Sequence, residues 1–401
     1  MADPKKVKFS APALRIAVAQ MNPTVGDFED NSRKIIQWIR SAENQRADLI
    51  VFPELALSGY PVWDLANKKP FVQEGLRRLD QITRATSKLK IAAALGFIDK
   101  ARKPGQRSLN SMAWIAGGKI LSRHVKRLLP TYDVFLEEIF FERGEGSRVI
   151  PWRGRRIGPA ICEDLWDSRY REKPLADLAA QKADLIVSIS ASPYYRGVAE
   201  ARDALIKNHA LRYKMPILYV NQVGGQDDLI FDGRSFFADE TGRILFRAPA
   251  FQEGLFFFEW KRGMHSSEFS MPASTGSPAE VYQALVLGVR DYCRKNRFDK
   301  AVIGLSGGID SALVAALAVD ALGKDAVTGI TMPGEYSSRG SWEDSRDLAT
   351  RLPAGRCTCE APRLLEGEAQ GQAPRNATAH RPPPASGAEL RGQGGRVLSL
   401  P

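Results

Sequence analysis

Arg156-Ile-Gly-Pro-Ala-Ile-Cys162-Glu-Asp-Leu-Trp166 is a short apolar run that ends in a cysteine and passes at once into two carboxylates. A structural cysteine usually sits inside an apolar pattern. A thiol at a strand end beside charges is instead placed to meet a substrate and to be held as the reactive thiolate. The plainer alternative is a small core residue, and the choice turns on whether chemical partners follow other strands.

Partners do follow other strands. Leu14 to Gln20 carries alternation and β-branched residues and reads as a strand, with Asn31 to Asn44 helical after it. Ala47 to Phe52 repeats the plan and delivers Glu54 just beyond an apolar strand, beside the turn formers Ser58-Gly59-Tyr60-Pro61. Phe71 to Leu89 is helical and Lys90 to Phe97 a strand. Leu109 to Ala116 with Lys119 to His124 form a hairpin closed by Gly117-Gly118, at whose end stands Lys126. Helix and strand alternate onward through Arg155 to Ala160, Pro174 to Gln181, Leu185 to Ser190, Gly197 to Lys214 and Ile217 to Asn221, which argues for a layered α/β domain.

Glu54, Lys126 and Cys162 each follow a strand and precede a loop, so one rim of a sheet can gather them. Cysteine attacks an acyl carbon, a carboxylate takes its proton and returns it to the leaving nitrogen, and an ammonium stabilises the oxyanion. That set points to amide hydrolysis through a thioester. The bland alternatives are a solvated glutamate, a surface lysine and a core cysteine.

Composition is that of a globular protein of two or three domains: 401 residues, 44% hydrophobic and 26% charged. No run approaches the roughly 20 apolar residues of a membrane span, and the first residues lack the apolar core of a signal peptide, so a cytoplasmic protein is expected. The four cysteines, Cys162, Cys293, Cys357 and Cys359, are unevenly spaced and suggest reduced thiols. The net charge of +11 is scattered among acids, which argues against a nucleic-acid partner.

Phe52-Pro-Glu54-Leu, Lys126-Arg-Leu-Leu-Pro130-Thr-Tyr132-Asp-Val-Phe135 and Ile161-Cys162-Glu163-Asp164-Leu165-Trp166 resemble the signatures of the nitrilase, or carbon–nitrogen hydrolase, superfamily over residues 13–260. The resemblance implies an αββα sandwich and a triad of Glu54, Lys126 and Cys162. Ser190-Ala-Ser192-Pro193-Tyr194 and the stretch from Tyr219 to Gly233 are similar to the glutaminase branch found in glutamine-dependent NAD synthetases. By that resemblance Tyr132 and Ser192 contact glutamine, and Glu137 is a further active-site glutamate counted with them. Leu136, Ile139 and Val198 depart from the branch's pattern, where Asp, Arg and a basic residue are usual; Arg196 or Arg202 is left to hold the substrate α-carboxylate.

Residues 261–277 are rich in Ser, Gly and Pro and read as a linker after the extension of residues 1–12 and the domain of residues 13–260. Pro278 to Arg294 reads as an amphipathic helix. Ala301-Val-Ile-Gly304-Leu305-Ser306-Gly307-Gly308-Ile309-Asp310-Ser311 is a strand entering a glycine-rich turn and a helix from Ala312 to Leu322, a backbone suited to phosphate. No Gly-Lys-Ser/Thr closes it, so it is not a P-loop of the Walker type. It resembles the pyrophosphate loop of ATP pyrophosphatases, with Met332 to Ser338 and Asp344 similar to the start of NAD synthetase. The resemblance implies an incomplete doubly wound parallel α/β domain over residues 278–352, ATP held by Gly304 to Ser311, Mg²⁺ on Asp310, deamido-NAD as acceptor and assembly as a homo-oligomer.

The agreement stops near Leu352. Residues 353–401 contain no Lys, Asp, Ile, Phe, Tyr or Trp and are crowded with Arg, Pro, Gly and Ala, so the stretch is expected to be disordered. A frameshift or truncated gene product explains the change better than a natural tail, because it falls inside one domain. The chain is therefore expected to keep the glutaminase constellation and to lack NAD synthesis. The competing readings are a stand-alone amidase and a non-catalytic pseudoenzyme.

Overall fold

The computed structural model describes residues 13–261, 276–332, 338–352, 356–357 and 396–400. It divides into two units, Met1–Gly288 and Val289–Pro401. The extension of residues 1–12, nearly all of the linker and most of the Met332 to Ser338 motif lie outside the described residues.

In the first unit the strands are β1 Leu14–Gln20, β2 Leu49–Val51, β3 Ala92–Asp99, β4 Leu109–Ala116, β5 Lys119–Val125, β6 Ile150–Trp152, β7 Arg155–Ile161, β8 Leu185–Ser190, β9 Ile217–Asn221, β10 Val223–Gln226, β11 Leu229–Asp232, β12 Phe236–Ala238, β13 Ile244–Arg247 and β14 Gly254–Trp260. The helices are α1 Phe28–Asn44, α2 Lys69–Ala85, α3 Glu137–Phe140, α4 Pro174–Ala180 and α5 Val198–Tyr213; α6 Pro278–Lys295 runs across the division between the units. Two six-stranded sheets form, in the orders β14-β1-β2-β3-β4-β5 and β13-β12-β9-β8-β7-β6, with β10 and β11 as a separate hairpin.

The side-chain period of two explains the layering. Ile16 and Val18 of β1 join Val187, Ile189 and Leu218 of the other sheet in one core, whereas Ala17 and Ala19 between them face Ile35 and Ile39 of α1 and Ile82 of α2. On the far side Ala160, Ile186 and Ile217 pack against Leu175 and Leu178 of α4 and Ile206 of α5. Helices therefore cover both outer faces of two stacked sheets, the αββα sandwich that the resemblance implied.

Small differences from the sequence reading have local causes. The first helix begins at Phe28 and not Asn31, because the Asp27 carboxylate caps it by accepting from the Asp30 N–H at 3.1 Å. The second ends at Ala85 and not Leu89, where the Thr86 hydroxyl donates back to the Ile82 carbonyl at 2.9 Å.

The second unit holds β15 Phe298–Gly304, β16 Val327–Ile330, β17 Arg356–Cys357 and β18 Arg396–Leu400, with α7 Ile309–Leu322 and α8 Arg339–Arg351. Its sheet runs β17-β16-β15-β18, parallel at every pair. Ile303, Leu305, Ala318 and Val327 form its core. Two of these strands fall inside residues 353–401, so disorder throughout that stretch does not hold: Arg396-Val-Leu-Ser-Leu400 is apolar enough to add to the edge of β15. The rest of the stretch, Cys359 included, lies outside the described residues.

Strand β3 also constrains the loop after β2. A Cβ on Gly96 would stand 2.4 Å from both the Leu55 nitrogen and the Pro53 oxygen, backbone atoms on either side of Glu54. Replacing Gly96 with Ala is expected to cost about 3 kcal/mol or more in urea unfolding, because backbone and not a flexible side chain must move. An unchanged midpoint would show that the loop after β2 can yield.

Candidate active site

Strands β1, β2 and β3 run parallel, and β5 regains their direction through two antiparallel pairings, so the loops after β2 and β5 leave from one rim. Lys126 extends from β5 by its N–H, which donates to the Asn110 carbonyl at 2.9 Å. Its Nζ donates to Glu54 Oε1 at 2.7 Å and to Glu137 Oε1 at 2.8 Å. All three side chains are sealed from water, with Glu54 0%, Lys126 1% and Glu137 4% exposed. Glu54 is held further by Asn110 Nδ2 on Oε1 at 2.7 Å and by the Ala191 N–H on Oε2 at 2.9 Å. Tyr60 donates its hydroxyl to Glu137 Oε1 at 2.9 Å.

Cys162 follows β7 as the first residue of a 3-10 turn, Cys162–Leu165, and takes a left-handed φ of 43°. Asp164 holds this turn against the loop after β5. Its Oδ1 accepts from the Arg127 and Leu128 N–H groups at 2.9 and 3.0 Å, and its Oδ2 from the Ile161 N–H at 3.0 Å. One carboxylate therefore sets the nucleophile's turn relative to Lys126. His124 Nε2 lies 3.3 Å from the same Oδ2.

The electrostatics differ from the expected thiolate. Burial pushes the Cys162 thiol well above its ordinary value, Glu54 adds to that rise, and Lys126 opposes it without reversing it. Burial alone would lower the Lys126 ammonium, but Glu137 and Glu54 outweigh it and hold the group charged. Glu137 is raised, first by burial and then by Glu54, with Lys126 working the other way. Burial and Glu54 thus disfavour the Cys162 thiolate, and the two glutamates favour the Lys126 ammonium.

Cys162 lines a cavity of about 380 Å³ together with Tyr132, Phe135, Glu163, Arg169 and Ser192. Tyr132 and Ser192, which the resemblance put against glutamine, both line this cavity. Glu137 is not among the lining residues; it is buried and bonded to Lys126 and Tyr60. Val198 lines the cavity, whereas Leu136 and Ile139 are exposed and outside it. Of the two arginines left open, Arg196 is not among the lining residues, and Arg202 is 2% exposed and committed. Its guanidinium donates to Asp232 at 2.7 Å and to the Ser192 carbonyl at 2.8 Å, so it fixes the Ser192 backbone. Asn221 Oδ1 accepts from the Ser192 N–H at 2.9 Å and completes that hold.

In the second unit, β15 ends at Gly304 and α7 begins at Ile309, earlier than Ala312, which puts Ile309, Asp310 and Ser311 in its first turn. Gly304 pairs in the sheet, and Leu305 is buried with its N–H donating to the Ile330 carbonyl at 2.8 Å, so these two anchor the loop. Ser306 to Ser311 form the exposed part. Gly307 needs its φ of 79°, and a Cβ there would meet the Ser341 oxygen at 2.4 Å. The Ser306 and Ser311 hydroxyls lie 3.1 Å apart, and the Gly308 N–H donates to Ser306 Oγ at 3.3 Å. Asp310 carries the loop's carboxylate, and among the described residues no group of three or more His, Cys, Asp or Glu gathers to hold a metal. No described helix is long and apolar enough to cross a membrane.

Sequence reading missed Asn110, Tyr60 and Arg169 as site residues and gave Glu163 and Asp164 no role, although both stand beside Cys162. A carboxylate next to a candidate nucleophile was the available signal for those two.

A buried glutamate and lysine thus stand behind a cysteine on an αββα sandwich. The chain belongs to the carbon–nitrogen hydrolase family, whose model matches residues 15–265, and an NAD synthase family model matches residues 281–365. It is similar to the glutamine-dependent NAD(+) synthetases of Synechocystis sp., 43% identical over 84% of this chain and 62% of that protein, and of Thermotoga maritima, 36% identical over 84% and 64%. A solved glutamine-dependent NAD+ synthetase from Acinetobacter baumannii, in complex with ADP, superposes with a TM-score of 0.77 at 35% identity, covering 86% of this chain and 64% of that one. An amidase from Nesterenkonia sp. shares the fold at a TM-score of 0.54 and 23% identity, over 63% of this chain and 91% of that one. The chain spans about 62% of the length of the Synechocystis relative.

Glu163 provides a pH readout of this site. It accepts from the hydroxyls of Tyr132, at 3.0 Å, and Tyr170, at 3.0 Å, yet burial dominates and pushes it up to about 7 from 4.5. A raised carboxyl makes the folded state bind the extra proton, so its contribution is fully favourable below pH 4.5 and falls away until pH 7. Glu163→Gln, which does not titrate, is expected to gain roughly 3 kcal/mol relative to the parent chain between pH 5 and pH 8. Urea midpoints of both chains at the two pH values read this directly, and parallel curves would refute it.

Proposed function

We propose that the first unit hydrolyses glutamine through a Cys162 thioester, the glutaminase half of a reaction in which the ammonia serves an ATP-dependent amidation of deamido-NAD to NAD. The observation that carries the first half is the buried Glu54–Lys126 contact at 2.7 Å, set behind a cysteine that opens on a cavity. Because the thiol rests protonated, attack needs a base, and Glu54 is the carboxylate available to take the Sγ proton as the sulfur adds to the amide carbon. The Lys126 ammonium stabilises the developing oxyanion. Collapse breaks the carbon–nitrogen bond, Glu54 returns the proton to the departing ammonia, and water, deprotonated by the same carboxylate, cleaves the thioester to glutamate and free thiol. Tyr132 and Ser192 border the substrate.

The second half rests on the names of the relatives and on the loop. Ser306 to Ser311 would receive the ATP phosphates, with the start of α7 behind them. Asp310 would hold Mg²⁺, an oxygen-ligated cation whose charge would neutralise the phosphates. Ammonia attacks the adenylated carboxylate, releasing AMP after pyrophosphate. A cytoplasmic location and assembly as a homo-oligomer belong to the same reading and rest on the resemblance alone.

The test is glutamine-dependent ammonia release by the purified chain beside Cys162→Ala and Glu54→Gln. Release is expected from the parent, none from Cys162→Ala, and a rate about 10²- to 10⁴-fold lower from Glu54→Gln. Ammonia from Cys162→Ala at the parental rate would end the thioester reading. NAD formation followed in the same tubes reads the second unit separately.

A further inference from the structure

The active-site cavity contains one cation whose charge the protein leaves unspent. Arg169 ends the 3-10 turn Asp167–Arg169 and is exposed, and its guanidinium carbon sits 5.3 Å above the Tyr132 ring. Among the described residues it makes no ion pair, whereas Arg202 is spent on Asp232 and Ser192. The other charged residues lining the cavity, Asp133 and Glu163, are carboxylates, and Val198 contributes no charge. A glutamine in this cavity carries its α-carboxylate at the end remote from the amide, and that anion needs a donor.

We infer that Arg169 binds the substrate's α-carboxylate and so selects an amino acid amide over a plain amide. This rests on the glutaminase reading. The guanidinium fork matches a carboxylate, and stacking over Tyr132 orients the fork before the ligand arrives. Tyr132 is itself tied to Glu163 through its hydroxyl at 3.0 Å, so the cation rests on a ring that is already fixed. The arrangement acts through binding and not through the reacting atoms: Arg169 determines which amide enters, and Cys162 acts on whatever is held.

The experiment compares L-glutamine with L-glutamine α-amide, which keeps the reacting group and removes the charge. The parent, Arg169→Ala and Arg169→Lys are assayed for ammonia release from both. The expected result is a rise in KM for glutamine on the order of ten- to hundredfold in Arg169→Ala with kcat nearly kept, no change in kcat/KM for the α-amide, and partial recovery in Arg169→Lys. A fall shared equally by both substrates would mean that Arg169 only supports Tyr132, and an unchanged KM would mean that it does not meet substrate; either overturns the inference while the glutaminase reading stands. A parent chain that releases ammonia from neither substrate overturns both.

Discussion

Two carboxylates sharing one ammonium beyond the reach of water is the condition on which the rest of the first unit depends. Glu54 and Glu137 both bond Lys126 Nζ, within 2.8 Å. Desolvating such groups is costly, and removing one partner leaves an uncompensated charge worth about 3–5 kcal/mol. The residual cost is offset by neutral donors, Asn110 and the Ala191 N–H on Glu54 and Tyr60 on Glu137. These groups come from the loop after β2, from β4, from the end of β5, from α3 and from the end of β8. Local order in one loop therefore depends on order in the others, and the catalytic groups are set before any substrate arrives.

The same condition explains the state of the nucleophile. A carboxylate pair around one lysine makes the field at Cys162 unfavourable for a thiolate, and burial adds to it. A cysteine in that field is slow to react until its proton has somewhere to go. Burial and the neighbouring carboxylates thus both disfavour the reactive thiolate, the form that oxidants attack. Reading charged neighbours as thiolate stabilisers failed because sequence does not reveal that carboxylates outnumber the ammonium and that all of them are dry.

Much of the fold was legible, and for a simple reason: strands such as Leu185–Ser190 and Ile217–Asn221 are bounded where their apolar runs end. That Glu54, Lys126 and Cys162 gather at one end of the sheets was legible because each follows a strand. What stayed hidden depends on contacts between distant residues. Asn110, the second residue of β4, reads as a polar position in a hairpin, and only the packing of β4 beside Lys126 gives it Glu54 as partner. Asp164 carries no sequence signal for its backbone partners, yet it accepts from N–H groups 36 and 37 positions away. The strands in residues 353–401 were hidden for the opposite reason, since composition averages over a long stretch and conceals a five-residue apolar run.

Three cations around one site show why residue type alone could not assign roles. Lys126, Arg202 and Arg169 are equally basic on paper. Lys126 has no exposure to speak of and two carboxylates, so its charge acts on the nucleophile. Arg202 is buried too, and Asp232 outweighs the burial that would discharge it, but its remaining donors point at carbonyls of Ser192 and Pro193, which makes it a brace for the cavity wall. Arg169 lies open to the cavity over an aromatic ring, without a carboxylate. A buried cation's partners are settled by folding, so Arg202 braces the wall while Lys126 keeps its charge beside Cys162. Only a cation that folding leaves unpaired at the cavity surface has charge left to recognise a ligand, and that difference in pairing, not basicity, separates the three.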